Sequence, residues 1–286
     1  MTVESVGEPA KAEPLRVHDP ALLFEGRAGR LAKLAEGSST AEYLALLSRV
    51  AAGQRTAVRD VPVRPARAPA GEGGGPPLRA DAVPRDETWR RMLVIVLSAT
   101  RGPDLPPETL AAVDRLAAAD AAELEALAGA VLAGEVPPDR VACVPFVGAA
   151  LQAWFSALAS GLDPAKVAAG GPTCPACGSP PVAGVVQASD RLRYLSCELC
   201  AAEWNFPRLH CVACGKDADL AYYDVEPFPG VKAEACGRCR AYTKLFEQEK
   251  RAGLDPAADD VATIALDLLL AQDGWQRVGG NLYIAA

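Results

Sequence analysis

The chain has 286 residues, half of them hydrophobic, with a net charge of −7 and a pI near 5.1. That length holds one or two domains with a real core, and the acidic balance argues against the basic surfaces that nucleic-acid binding needs. Residues 1–17 (MTVESVGEPAKAEPLRV) carry no apolar run behind their charges, so no secretory leader is expected and the chain reads as cytoplasmic, where thiols stay reduced.

Residues 1–16 are polar and proline-containing, as a mobile tail would be. Asp19-Pro20 supplies an N-cap and a first-turn proline for a helix whose apolar face is Leu22, Leu23, Leu31 and Leu34, closed by Gly37. Ser39-Thr40-Ala41-Glu42 is a capping box for a second helix through Tyr43, Leu44, Leu46, Leu47 and Val50, which suggests a helical hairpin. Residues 61–84 are rich in proline and glycine and are read as a surface loop inside one helical domain, 17–171. Further helices are expected near 85–99, 106–118, 120–133 and 138–161, with the wholly apolar Met92–Leu97 marking the most buried one. Val141–Leu162 is free of charge for long enough to span a bilayer. Its Ala, Gly and Ser content, with Pro145 and Gln152, suits a buried helix better, so no membrane span is expected.

The composition changes at Gly170-Gly171-Pro172. Beyond it, short alternating stretches predict strands at Arg191–Ser196, Glu203–Phe206, Ala221–Val225, Lys232–Ala235 and Tyr242–Phe246. A last amphipathic helix is predicted over Asp259–Gln272, with Val261, Ile264, Ala265, Leu268 and Leu269 inward. Its Asp259-Asp260 pair reads as N-capping and first-turn dipole compensation rather than a general base. The expected fold class is α+β. An N-terminal all-α domain precedes two tandem small β modules of rubredoxin-like or zinc-ribbon type, 172–208 and 209–250, and a C-terminal helix and tail, 251–286.

Eight of the nine cysteines form four CxxC pairs: Cys174/Cys177, Cys197/Cys200, Cys211/Cys214 and Cys236/Cys239. The intervals between pairs are 19, 10 and 21 residues, so long and short gaps alternate. A C-x2-C-x15–20-C-x2-C spacing is a metal-site signature, and here it occurs twice in tandem. A tetrahedral ion takes four thiolates at about 2.3 Å, two from each CxxC turn. The eight cysteines are therefore the candidate ligands of two metal ions, iron in rubredoxin-like sites or zinc, which thiolate donors alone do not separate. Sequential pairing of the CxxC turns is favoured over an interleaved cross-brace, and metal over disulfides or redox dithiols. Gly178 and Gly215 follow two of the pairs and permit the positive φ that turns backbone N–H groups toward sulfur. CELC and CGRC lack that glycine and are expected to be looser halves.

Closed four-thiolate sites leave no open position for a substrate water. No Ser-His-Asp arrangement, Walker loop or dinucleotide fingerprint is visible, and Gly71–Pro77 lacks the Lys-Ser/Thr of a phosphate loop. No catalytic residue is assigned, and a binding or assembly factor is the stronger class. His18 reads as an exposed turn residue, His210 as a neighbour that tunes a knuckle, Cys143 as a buried apolar thiol, and Tyr194 and Trp204 as core aromatics. From Thr173 onward there are 11 basic and 15 acidic residues, and each divalent ion held by four thiolates adds about −2. A nucleic-acid partner is disfavoured.

Several segments together resemble the formate dehydrogenase accessory protein family, FdhE. They are CPACGSPPVAGVV (Cys174–Val186), LRYLSCELCAAEWNFPRLHCVACG (Leu192–Gly215), AEACGRCRAYTKLF (Ala233–Phe246) and ADDVATIALDLLLAQDGWQRVGGNLY (Ala258–Tyr283). In the helical half, Asp19–Gly37, Ala41–Leu47 and Pro145–Trp154 fit as well. The resemblance implies a cytoplasmic accessory protein that binds the molybdenum- or tungsten-containing catalytic subunit of formate dehydrogenase and is needed for its activation. It also implies rubredoxin-like iron at the eight cysteines. The chain departs from the family's pattern at Asn205, where a histidine is common, and at Gly37-Ser38-Ser39, where Gly-His-Pro is common; neither change removes a ligand. The alternative is an iron–thiolate electron-transfer or redox-sensing protein, and a homodimer is an open assembly state.

Overall fold

In the computed structural model, which describes residues 12–64, 75–102, 104–168, 170–216, 219–224 and 228–284, the helical half begins where its capping residue dictates. The Asp19 carboxylate accepts the backbone N–H groups of Ala21 and Leu22 and starts α1 (Pro20–Ala35). α2 (Ala41–Asp60) packs back along it as a hairpin. The expected capping box does not form: Thr40 makes no side-chain cap bond, and the Ser38 hydroxyl accepts the Thr40 N–H at 3.1 Å instead. The inward stripe of α1 is Phe24, Arg27, Arg30 and Leu31, which leaves Leu22 69% exposed. Two inward arginines moved the stripe away from the face that a count of leucines suggests.

α3 (Glu87–Thr100), α4 (Pro107–Ala118) and α5 (Ala121–Ala133) follow. α3 is one-sided rather than buried all round, because Val94 faces outward at 65% exposure. The central helix is α6 (Val144–Ala159), preceded by a 3-10 turn over Pro138–Cys143; every residue of α6 except Ala157 is buried. Among the described residues, Pro138–Ala159 is the stretch long and apolar enough to cross a membrane, and most of it lies inside the protein.

The strands are β1 (Leu15–Arg16), β2 (Pro181–Val186), β3 (Arg193–Cys197), β4 (Glu203–Asn205), β5 (Leu220–Asp224), β6 (Val231–Cys236), β7 (Ala241–Glu247) and β8 (Gln276–Arg277). They form one sheet in the order β1-β4-β3-β2-β7-β6-β5, with β8 beside β7. The two cysteine modules share this sheet through a parallel join, Gly184 opposite Leu245 to Val186 opposite Glu247. The expected tail is corrected at its end: Leu15 pairs with Trp204, and is buried. Residues 1–11 lie outside the described residues, as do 65–74 of the proline- and glycine-rich loop and Val225 at the end of one expected strand. β2 escapes an alternation test because all six of its residues are buried.

The last expected helix starts earlier and breaks at Thr263 into α7 (Pro256–Ala262) and α8 (Ile264–Gln272). The break resets the helical phase, so Leu266 and Leu270 face inward while Leu268 and Leu269 are 61% and 56% exposed. One large apolar core runs from Phe24, Trp89 and Phe155 into Cys174, Cys177, Leu195 and Trp204. A smaller core of Val182, Val231, Tyr242, Phe246, Leu266 and Leu270 underlies the second module.

Candidate metal centres

Each cysteine pair sits on a turn next to a strand. Cys174 and Cys177 precede β2, Cys197 ends β3, and Cys200 lies in the turn before β4. Cys236 ends β6, Cys239 lies in the turn before β7, and Cys211 and Cys214 follow the link out of β4. The structure gathers Cys174, Cys177, Cys197 and Cys200 into one set and Cys211, Cys214, Cys236 and Cys239 into another, with the sulfurs of each set within 4.8 Å of one another. This is the sequential arrangement, not the cross-brace. Cys174 Sγ lies 3.6 Å from Cys200 Sγ, Cys177 Sγ 3.4 Å from Cys197 Sγ, and Cys211 Sγ 3.6 Å from Cys239 Sγ. A disulfide needs about 2.05 Å, whereas a tetrahedron with 2.3 Å metal–sulfur bonds puts its corners about 3.8 Å apart. The two sets could hold two metal ions, and an all-thiolate donor set suits zinc or iron.

All four knuckles make the same turn. Gly178 and Gly215 have φ of +82° and +65°, and Ala201 and Arg240 take the equivalent positions at +56° and +59°. The turn is closed by Gly178 N–H to the Cys174 carbonyl at 2.8 Å, and likewise by Gly215 to Cys211 and Arg240 to Cys236, both at 2.9 Å. Cys197 Sγ accepts the N–H groups of Leu199 at 3.3 Å and Cys200 at 3.4 Å. The second pair of each set is therefore as tightly wound as the first, contrary to the expectation from its missing glycine. Holding sulfur between backbone donors outweighs the cost of a left-handed alanine or arginine.

Without a cation the sulfurs share protons unequally. Hydrogen bonds from Cys174, Cys197 and Cys200 hold the Cys177 thiol well below its ordinary range, while burial pushes Cys197 well above it. In the second set burial pushes Cys211 up to about 12, and the backbone N–H of Lys216 draws Cys214 down. A bound metal replaces the remaining thiol protons, which ties occupancy to pH. Burial also pushes Glu198, between two ligands of the first set, up to about 7.

The other singled-out residues make contacts within the fold. Asp255, not Asp259 or Asp260, caps α7. Asp259 is buried against Arg30 at 2.5 and 2.9 Å. Asp260 is buried between Lys244 at 3.0 Å and Arg277 at 2.7 Å. Asp259 also stands in the first turn of α7 and accepts the Asp255 N–H at 2.8 Å, in keeping with the capping and dipole reading, and the buried ion pairs add to that role. His18 Nε2 is 3.8 Å from Glu203, and the carbonyl of His210 accepts from Arg193 at 2.8 Å. Cys143 is buried, Tyr194 is buried beneath Arg16, and Trp204 Nε1–H donates to the Gly171 carbonyl at 2.9 Å.

Fold and sites define an α+β protein in which a helical half carries a double four-cysteine, metal-binding module. Family models match in succession: "FdhE, N-terminal" over residues 12–171, "FdhE, central domain" over 173–208 and "FdhE, C-terminal domain" over 209–284. The chain belongs to the FdhE family of formate dehydrogenase accessory proteins. It is 37% identical to the FdhE homolog of Edwardsiella ictaluri, covering 95% of this chain and 91% of that one. It is 38% identical to the homolog of Stutzerimonas stutzeri, covering 96% and 94%. The crystal structure of the FdhE protein from Pseudomonas aeruginosa superposes with a TM-score of 0.86 at 36% identity, over 95% of this chain and 98% of that chain.

Proposed function

We propose that this protein binds the catalytic subunit of a molybdenum- or tungsten-containing formate dehydrogenase in the cytoplasm and is needed for that enzyme's activation. The observation that supports this reading most is the end-to-end family match, which takes in the helical half and all four cysteine pairs. In this reading Cys174, Cys177, Cys197, Cys200, Cys211, Cys214, Cys236 and Cys239 ligate two ions, iron or zinc, and the units are the helical domain 17–171, the modules 172–208 and 209–250, and the C-terminal segment 251–286. The metals would cross-link the cysteine turns at the strand ends of the shared sheet. Nothing in the role requires an open coordination position; it requires a stable shape that a client can read.

The test is a tagged pull-down from native cells making formate dehydrogenase, with metal analysis of the eluate. The catalytic subunit is expected to co-elute, with two ions per chain, and deletion of the protein is expected to abolish formate oxidation. An eluate free of every formate dehydrogenase subunit, from cells with normal activity after deletion, sinks the proposal.

A further inference from the structure

The two cysteine sets differ in their surroundings far more than in their geometry. In the first, all four sulfurs are buried, and so are Ala176, Ser179, Leu199, Ala201 and Ala202 around them. In the second, Cys214 and Cys239 are half-buried and Ala213, Gly215, Lys216, Gly237, Arg238 and Arg240 are exposed.

The first set is also locked from outside its module. The Leu78 and Ala80 N–H groups donate to the carbonyls of Ala176 and Cys177 at 2.8 and 3.0 Å, so the loop before α3 runs along the first knuckle like an added strand. From the other side, Gln152 in α6 donates to the Glu198 carbonyl at 2.7 Å, and the Gly280 N–H donates to the Glu198 carboxylate at 2.9 Å. All four cysteines of this set belong to the helical core, whereas none of the second set's cysteines does: Val212 alone of that knuckle reaches it, and the smaller core lies beneath the rest of the module. The second set stands beside β5, an edge strand whose Tyr222 and Tyr223 are exposed.

We infer that the centres have different jobs: the first is a permanent fastener between the helical half and the sheet, and the second is an exchangeable centre that outside donors can reach. This rests on the reading of both sets as metal sites. Exchange at the second centre proceeds by ligand substitution. An incoming thiolate, imidazole or chelating donor forms a bond to the ion, the bond to Cys214 or Cys239 breaks, and the released thiolate takes a proton from water without change of oxidation state. At the first centre the same attack requires the helical core to open, so its rate is tied to unfolding.

The full-length protein loaded with two equivalents of zinc, mixed with excess of a chromogenic pyridylazo chelator, is expected to release one equivalent quickly and the other at least about tenfold more slowly, a barrier difference of about 1.4 kcal/mol. Cys239→Ser and Cys214→Ser should each lose the fast equivalent and keep the slow one. Iodoacetamide footprinting of the unmutated, loaded protein gives a check that needs no folded variant: Cys214 and Cys239 should alkylate first, with Cys174, Cys177, Cys197 and Cys200 protected. Release of both equivalents in one phase, a fast phase surviving both variants, or earlier labelling of the first set overturns the inference while leaving the metal sites standing. A protein that takes up neither zinc nor iron overturns the metal reading itself.

Discussion

Ala201 follows Cys200 with a left-handed backbone, a conformation that costs a non-glycine residue roughly 1–2 kcal/mol. Glycine there removes that strain but adds freedom to the unfolded chain, worth roughly 0.5–1 kcal/mol. Ala201→Gly is therefore expected to stabilise the metal-loaded protein by about 0.5–1 kcal/mol, read as a shift of the urea midpoint at unchanged slope. The opposite is expected at Gly148, where an added Cβ would lie 2.8 Å from the Leu282 carbonyl oxygen and 2.9 Å from its Cβ. Gly148→Ala should cost roughly 1–3 kcal/mol, since the chain end must shift off α6; denaturant titration checks it. At this scale the gathering of eight cysteines into two sets was legible, because each long interval has the length that brings two CxxC turns onto one ion. The left-handed Ala201 and Arg240 were not legible: their turn is imposed by the hydrogen bonds of the knuckle, which leave no mark on residue type.

At the scale of elements, α7 is held by charges buried on both sides. Lys244 is fully buried and reaches Asp260 at 3.0 Å, Asp267 at 2.6 Å and the carbonyls of Asp260 and Thr263 at 2.9 and 3.1 Å. Lys244→Met leaves two carboxylates without their ammonium and should destabilise by about 3–5 kcal/mol, measured by denaturant unfolding. Burial alone would raise the Asp260 carboxyl, but Lys244 and Arg277 together hold it below its ordinary value of 3.8. Its folded value is depressed, so its contribution is complete above about pH 4 and is lost as pH falls through the lower folded value. Asp260→Asn should thus flatten the acid limb of stability below about pH 4; comparing the two proteins at each pH cancels the acid loss of metal they share. Helices α1 to α6 were legible from caps and apolar stripes. The break at Thr263 was not, because 257–272 carries no proline or glycine to announce one. The inward arginines of α1 were hidden too, since their partners lie more than 200 residues away.

For the whole molecule, Arg193 is the joint. It is buried on β3 and pairs with the buried Glu234 of β6, while donating to the carbonyls of Pro207 and, at 2.8 Å, His210 in the link between modules. Arg193→Ala strands the buried Glu234 carboxylate and leaves the Pro207 and His210 carbonyls without this donor, and should cost about 3–5 kcal/mol. It should also broaden the calorimetric unfolding of the loaded protein, because the second module loses one buried tie to β3 while the parallel β2–β7 join remains. The α+β class and the order of its parts followed from the change in composition at Gly170 and the rhythm of the cysteines. That the two modules fuse into one sheet was beyond reach of the sequence. β2 and β7 meet in parallel with four other strands between them in the chain, and pairing of that kind depends on nothing local.

That parallel join has a consequence for the order in which a ribosome releases the chain. When residues 12–208 have emerged, β2 presents a bare edge with all six residues of the buried type, and its partner β7 is still to be made. Tyr283, whose carbonyl accepts the Tyr43 hydroxyl and whose own hydroxyl reaches Gln54 inside the helical half, arrives later still. A nascent chain halted just before β7 should therefore be sticky along β2 and loose around α2 and α6, however well the first cysteine set is filled. Translation has to pass β7 before the sheet can close and Tyr283 before the helical half can finish.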